Sequence, residues 1–103
     1  MKQIKIGKKI IDENQPCYII AEIGSNFDGN LKKAKRLIKL AKESGADCAK
    51  FQAFKTEKIL SKKGFETKST FQSKWKKSVW TVYEEAELPR SWISELSTYS
   101  KKI

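Results

Sequence analysis

Tyr18-Ile-Ile-Ala-Glu-Ile-Gly-Ser-Asn26 decides the fold of this 103-residue chain, together with its echo about one βα unit later, Ala46-Asp-Cys-Ala-Lys-Phe-Gln52. Each reads as a short buried strand. Each also carries a charged residue, Glu22 or Lys50, near its C-terminal end. Burying an unpaired charge costs several kcal/mol or forces neutralisation. Two such charges on consecutive strand ends therefore point to a site.

The segment between them predicts a helix. Asn30 is a good N-cap, and Leu31, Ala34, Leu37, Ile38 and Ala41 fall on one stripe at helical spacing, giving a helix from about Leu31 to Ser44. Gly45 sits where a left-handed C′ glycine would end it. Tyr18–Ile23 is a near-continuous apolar run of the kind buried on both faces of a parallel sheet, and Asp47–Phe51 is a second short strand. Strand, helix and strand at this length make a βαβ unit, which places the chain in the α/β class.

Outward from this unit the signals are shorter. Ile4-Lys-Ile-Gly-Lys-Lys-Ile-Ile11 alternates around Gly7 and reads as a β-hairpin within residues 1–12, broken by Asp12-Glu-Asn-Gln-Pro16. Residues 61–85 hold Gly64, many Ser, Thr and Lys, and the isolated aromatics Phe65, Phe71, Trp75, Trp80 and Tyr83. That stretch is too long for an ordinary connection, and Val79–Leu88 suggests a short helix of its own. Pro89 opens a last helix, with Trp92, Ile93, Leu96 and Tyr99 on its apolar side. The tryptophans Trp75, Trp80 and Trp92 read as packing anchors ahead of stacking platforms.

Composition narrows the class. Hydrophobic residues at 39% and aromatics at 11% support a packed core rather than a disordered tail. No apolar run approaches the ~20 residues of a membrane span, and the start, Met-Lys-Gln-Ile-Lys-Ile, lacks the apolar segment of a secretion signal. The expected location is the cytoplasm, and Cys17 and Cys48 are expected as buried reduced thiols. With no histidine and no Cys-x-x-Cys spacing, a zinc site is not expected. Net charge is +10, but Lys32, Lys33, Lys35, Arg36, Lys39 and Lys42 occupy the polar side of the predicted helix. The remaining lysines do not converge on one surface, which argues against a nucleic-acid partner.

Alternation along a strand puts Tyr18, Ile20, Glu22 and Gly24 on one face, and Cys48, Lys50, Gln52 and Phe54 on one face of the next. If the strands are parallel neighbours, Glu22 and Lys50 project from equivalent depths on the same side. Strand C-terminal ends are where α/β folds place ligands. A lysine there suits an oxyanion clamp, and an amide such as Gln52 or Asn26 suits a hydroxyl reader. The competing reading is a buried Glu22–Lys50 ion pair that only supports the fold.

At these residues the chain resembles the N-terminal part of the sialic acid synthase family, which makes N-acetylneuraminate and its legionaminate and pseudaminate relatives. The resemblance is carried by residues 18–26, by Leu31-Lys-Lys-Ala-Lys-Arg-Leu-Ile38, and by Ser44-Gly-Ala-Asp-Cys-Ala-Lys-Phe-Gln52. It continues through Lys55-Thr-Glu-Lys-Ile-Leu60 and Tyr83-Glu-Glu-Ala-Glu-Leu-Pro-Arg-Ser-Trp92. It implies an α/β fold that is the N-terminal fragment of a (β/α)₈ TIM barrel, with the hairpin at 1–12 and the first two βα units at 17–103. The rest of the barrel and an antifreeze-like domain are expected to be absent from the chain.

The implied enzyme, a transferase, condenses phosphoenolpyruvate with an open-chain N-acetylated amino sugar such as N-acetylmannosamine, with release of phosphate. A divalent metal, Mn²⁺ or Mg²⁺, is implied as cofactor, with its ligands outside this chain. By the same resemblance Glu22 and Lys50 are the catalytic residues, Lys50 facing the phosphoenolpyruvate anion. Gln52 and Asn26 are substrate-binding, and the full-length enzyme is expected to be a homodimer with neither nucleic acid nor membrane as partner.

Two departures from the family pattern stand out. Its loop often reads Ser-Asn-His-Asn-Gly, whereas this chain has Ser25-Asn-Phe-Asp-Gly29, which leaves the sugar open. A related phosphoenolpyruvate-dependent sugar-acid synthase or an aldolase-type barrel fits the same residues. A full barrel also needs ~250 residues, so the 103-residue chain alone is expected to be inactive.

Overall fold

The computed structural model describes residues 2–63 and 77–103. Phe65, Phe71 and Trp75, and with them most of the 61–85 reading, lie outside the described residues. The structure is α/β. A hairpin of β1 (Ile4–Ile6) and β2 (Lys9–Ile11) precedes a parallel pair, β3 (Ile20–Gly24) and β4 (Cys48–Phe51), joined by helix α1 (Leu31–Glu43). Among the described residues, helices α2 (Thr56–Ile59), α3 (Val79–Glu85) and α4 (Ser91–Lys102) follow. None is long and apolar enough to cross a membrane. The single turn of α2 has too few residues to show a helical period, and sequence reading missed it.

The ends of α1 are specified by its sequence. Asn30 has an extended backbone, and its side chain accepts the Lys33 N–H at 3.0 Å, satisfying one of the orphan donors of the first turn. At the other end Gly45 adopts φ +91°, its N–H bonds to Lys42 O, and the Ala46 N–H bonds to Ala41 O. This pair of bonds is a Schellman cap, and its left-handed residue favours glycine. The helix then presents Ala34 and Ile38, both buried, to the sheet and to α4.

The core lies on one side of the parallel pair. Ile23, Phe27, Ala34, Ile38, Leu88 and Leu96 form it, with Phe51, Trp92 and Tyr99 packed against them. Phe27 is fully buried, its ring 6.1 Å from that of Phe51 and 5.9 Å edge-on from Trp92. Trp92 is thus the packing anchor expected of it. Ile93, counted with the apolar side of α4, is exposed instead.

Two expectations about burial fail. Tyr18–Ile23 is not covered on both faces, for Ile19 and Ile20 are 51% and 54% exposed. One helix-bearing layer packs on the sheet, so Ile20, which alternates with Ile23, looks outward, while Ile19 lies before the strand begins. Cys17 is likewise exposed rather than buried, because the strand begins only at Ile20 and Cys17 precedes it; Cys48 is half-buried. Tyr18, beside Cys48, is held protonated above the ordinary tyrosine range, by loss of solvent first and then by the Cys48 thiol.

Candidate functional site

The C-terminal ends of β3 and β4 bring together the two charges singled out in the sequence. In the parallel register Ile20 pairs with Cys48, Ala21 with Ala49, and Glu22 with Lys50. Ala21, Ile23, Ala49 and Phe51 alternate with Glu22 and Lys50. Ile23, Ala49 and Phe51 join the core, so Glu22 and Lys50 point to the open side of the sheet. The Lys50 ammonium lies 3.0 Å from Glu22 Oε2.

The pair is not buried. The side chains of Lys50 and Glu22 are 63% and 56% exposed, which corrects the premise that each charge sits inside an apolar strand at a desolvation cost. The uncovered sheet face is the reason. It also removes the alternative of a buried structural ion pair, since an exposed pair contributes about 0–1 kcal/mol. A cation so weakly committed to its partner can be shared with an incoming anion at little cost.

A bulge ends the strand beside this pair. The register shifts between Glu22 and Gly24, and Gly24 pairs with Phe51, so Ile23 is the extra residue. Gly24 takes φ +60°, and a Cβ there would stand 3.5 Å from Glu22 Oε1 and 3.9 Å from Asn26 Nδ2. Asn26 closes the turn: its backbone N–H and its Nδ2 both donate to Ile23 O, at 3.2 and 2.9 Å. Gln52 continues β4 on the Lys50 face and donates its N–H to Gly24 O at 3.0 Å. Glu22 and Lys50 are in direct contact, and Asn26 and Gln52 are tied to the same bulge, both exposed.

Residue 27 is elsewhere. The Phe27 ring, at the position where the family loop often has histidine, points into the core, away from Glu22 and Lys50. Asp28, at φ +51°, ion-pairs with Lys33, and Gly29 follows at φ +64°. A lone aromatic among Ser, Asn, Asp and Gly was the available signal that the loop is pinned from below.

Five further lysines of the described residues pair around the surface: Lys9 with Asp47, Lys35 with Glu95, Lys39 with Glu43, Lys55 with Glu87 and Lys77 with Glu85. They form no single basic face. A cleft of about 550 Å³ lies at the opposite, N-terminal ends of the strands, lined by Lys9, Tyr18 and Asp47 among others. It is remote from Glu22 and Lys50, which stand at the C-terminal ends of the strands. In the cleft the Ile19 N–H, at 2.8 Å, and Lys9 hold the Asp47 carboxyl below its usual range.

The NeuB family model matches residues 37–103. Human N-acetylneuraminate-9-phosphate synthase is 41% identical over 88 residues, which cover 85% of this chain and 24% of that protein. The crystal structure of N-acetylneuraminic acid synthetase from Leptospira borgpetersenii, in complex with citrate, superposes with a TM-score of 0.76 at 28% identity, covering 98% of this chain and 31% of that one. The spore coat polysaccharide biosynthesis protein SpsE of Bacillus subtilis superposes with a TM-score of 0.68 at 32% identity, covering 98% and 25%. The chain spans about a quarter of the length of the curated relatives it matches.

Proposed function

Because this chain belongs to the NeuB family, we propose that it forms the first part of a (β/α)₈ barrel and carries one side of a nonulosonic acid synthase pocket. The reaction joins phosphoenolpyruvate to an N-acetylated amino sugar of the N-acetylmannosamine type. A carbon–carbon bond forms between phosphoenolpyruvate C3 and the sugar aldehyde carbon, water adds at C2, and phosphate leaves. The observation that supports this reading is the Glu22–Lys50 pair, in register and 3.0 Å apart at the C-terminal strand ends.

Lys50 supplies a fixed positive charge for the phosphoenolpyruvate anion. Its attraction for a carboxylate or phosphate oxygen grows as the pocket excludes water. Glu22, released from Lys50 when the anion arrives, accepts hydrogen bonds from sugar hydroxyls. Gln52 orients the sugar from the next position on the Lys50 face, and Asn26 lines its side of the pocket, held by its bonds to Ile23 O.

The divalent metal implied by the family polarises the sugar aldehyde when bound. The residues of this chain do not fit it. The sequence has no histidine, no group of three Cys, Asp or Glu converges among the described residues, and Glu22 already pairs with Lys50. Its ligands belong to other parts of a complete synthase, and no step is assigned through it here.

The test is phosphate release from phosphoenolpyruvate plus N-acetylmannosamine with Mn²⁺, using protein expressed from the complete coding sequence. Sugar-dependent release, abolished by Lys50→Ala, is expected. No sugar-dependent release with any N-acetylated hexosamine of this type would refute the proposal. The 103-residue chain alone is expected to release none.

A further inference from the structure

The segment that leaves β4 is gripped from a distance by one carboxylate. Residues 52–55 have no regular structure, and α2 is a single turn whose N-cap, Lys55, offers no side-chain acceptor. The Lys58 N–H reaches the Lys55 carbonyl at 2.9 Å, but the first N–H groups of so short a turn have no partner within it. Glu87, 31 residues further on, supplies the missing acceptor: its Oε2 receives the Thr56 N–H at 3.0 Å, and its Oε1 lies 3.8 Å from Lys55 Nζ. Both oxygens therefore engage adjacent residues of one segment.

The corner that presents Glu87 is itself fixed. Leu88 is buried in the core, and the Phe54 ring packs edge-on against Tyr83 of α3 at 5.8 Å. The neighbouring Thr56 hydroxyl and then the Thr56 N–H favour the charged form and hold the Glu87 carboxyl below its ordinary range, so it is charged at neutral pH; of the two, only the N–H meets it at hydrogen-bond geometry. At its other end the segment is tied by the Gln52 N–H to Gly24 O. Only Ala53, Phe54 and Lys55 separate the two anchors.

We infer that Glu87 is a positioning residue. Through the Thr56 N–H and Lys55 it fixes the path of residues 52–56 and so sets where Gln52 stands beside Glu22 and Lys50. The inference rests on the reading of Gln52 as the residue that orients the sugar. Glu87 does not itself face the pair. It acts on the sugar side only, because Lys50 is held within β4 by the strand register.

The test has two arms. In the protein expressed from the complete coding sequence, amide hydrogen exchange at Thr56 and Gln52 is measured for the wild type, Glu87→Ala, Glu87→Gln and the control Glu85→Ala, which among the described residues breaks the Lys77 pair. Glu87→Ala should speed both amides by at least about tenfold relative to the core amides of β3. Glu87→Gln keeps a carbonyl acceptor and should restore them, and Glu85→Ala should leave them unchanged. In the protein from the complete coding sequence, Glu87→Ala should raise KM for the amino sugar about tenfold or more while KM for phosphoenolpyruvate stays within about twofold. Glu87→Gln should return the sugar KM toward the wild type.

Equal changes in both KM values, or an unchanged Gln52 amide in a folded Glu87→Ala chain, would overturn the inference. If the wild type shows no sugar-dependent phosphate release, the proposed function fails, and the exchange arm still decides whether Glu87 fixes Gln52.

Discussion

Replacing Phe27 tests whether the loop after β3 is pinned in the core or faces a substrate. The Phe27 side chain is fully buried against Phe51 and Trp92. A phenylalanine buries about 150–250 Å², which at about 25 cal/mol per Å² gives about 4–6 kcal/mol. Measured Phe→Ala losses run about 3–5 kcal/mol, so about 4 kcal/mol is expected for Phe27→Ala. That is a large share of the ~5–15 kcal/mol that holds a small domain folded. Phe27→His, which restores the loop residue common in the family, separates the two readings. In the core, the imidazole buries nitrogens without partners, and the folded state favours its neutral form. Its folded pKa then lies below the unfolded value of about 6.5, and stability falls as pH drops through that value, by about 1.4 kcal/mol per unit of depression. Urea unfolding at pH 8 and pH 6 measures this, followed by tryptophan fluorescence, for which Trp92 is a reporter 5.9 Å from the ring. A Phe27→Ala loss below about 1.5 kcal/mol, or a Phe27→His loss independent of pH, would show that the ring is not where this packing places it.

Lys50→Ala should lower sugar-dependent phosphate release at least about a hundredfold. Lys39→Ala, which removes only an i,i+4 pair with Glu43, should leave it unchanged, and equal rates for the two variants would remove Lys50 from the site. Gly24→Ala should cost about 1–2 kcal/mol in urea unfolding, because φ +60° is strained for any residue with a Cβ while the added methyl meets only ordinary contacts; a loss below about 0.3 kcal/mol would contradict that backbone. Asp47 has a folded pKa below its unfolded one, so its contribution to stability is present above the ordinary carboxylate range and is lost as pH falls through the lower, folded value. Asp47→Asn should therefore flatten the acid limb of the melting-temperature profile below about pH 5, measured by circular dichroism. An unchanged limb would show that Asp47 is not held by Ile19 and Lys9.

What was legible in the sequence was whatever local chemistry enforces. Asn30 and Gly45 mark the ends of α1 because a side-chain acceptor and a left-handed residue are needed at those two places. The hairpin follows from alternation around Gly7, which takes φ +58°. The facing of Glu22 and Lys50 follows from a period of two once the strands are parallel. Burial was less legible, because it depends on how many layers cover the sheet, and no local pattern counts layers. Glu22 and Lys50 were read as interior charges, and Ile20 as core, for that one reason. The role of Phe27 was hidden because its contacts, Phe51 and Trp92, lie 24 and 65 positions away along the chain. The acceptor at Glu87 was hidden in the same way, since no periodicity links it to Thr56.

The placement of the charged pair is a consequence of the core. A one-residue slip in a strand moves every side chain to the opposite face. In β3 it would withdraw Ile23 from Phe27 and Leu96 and turn Glu22 into the layer occupied by Ile38. Losing one such aliphatic contact costs about 1.5–3 kcal/mol, and burying an unpaired carboxylate costs more. The exposed Glu22–Lys50 attraction, at about 0–1 kcal/mol, is too weak to set the register by itself. The apolar residues between the charges choose it, and the charges are carried to the open face as a result. Site and stability are thereby separated on alternate residues of the same strands. Exchanging Glu22 or Lys50 should change binding with little effect on folding, whereas exchanging Ile23 should destabilise the fold by about 1.5–3 kcal/mol or more and weaken both.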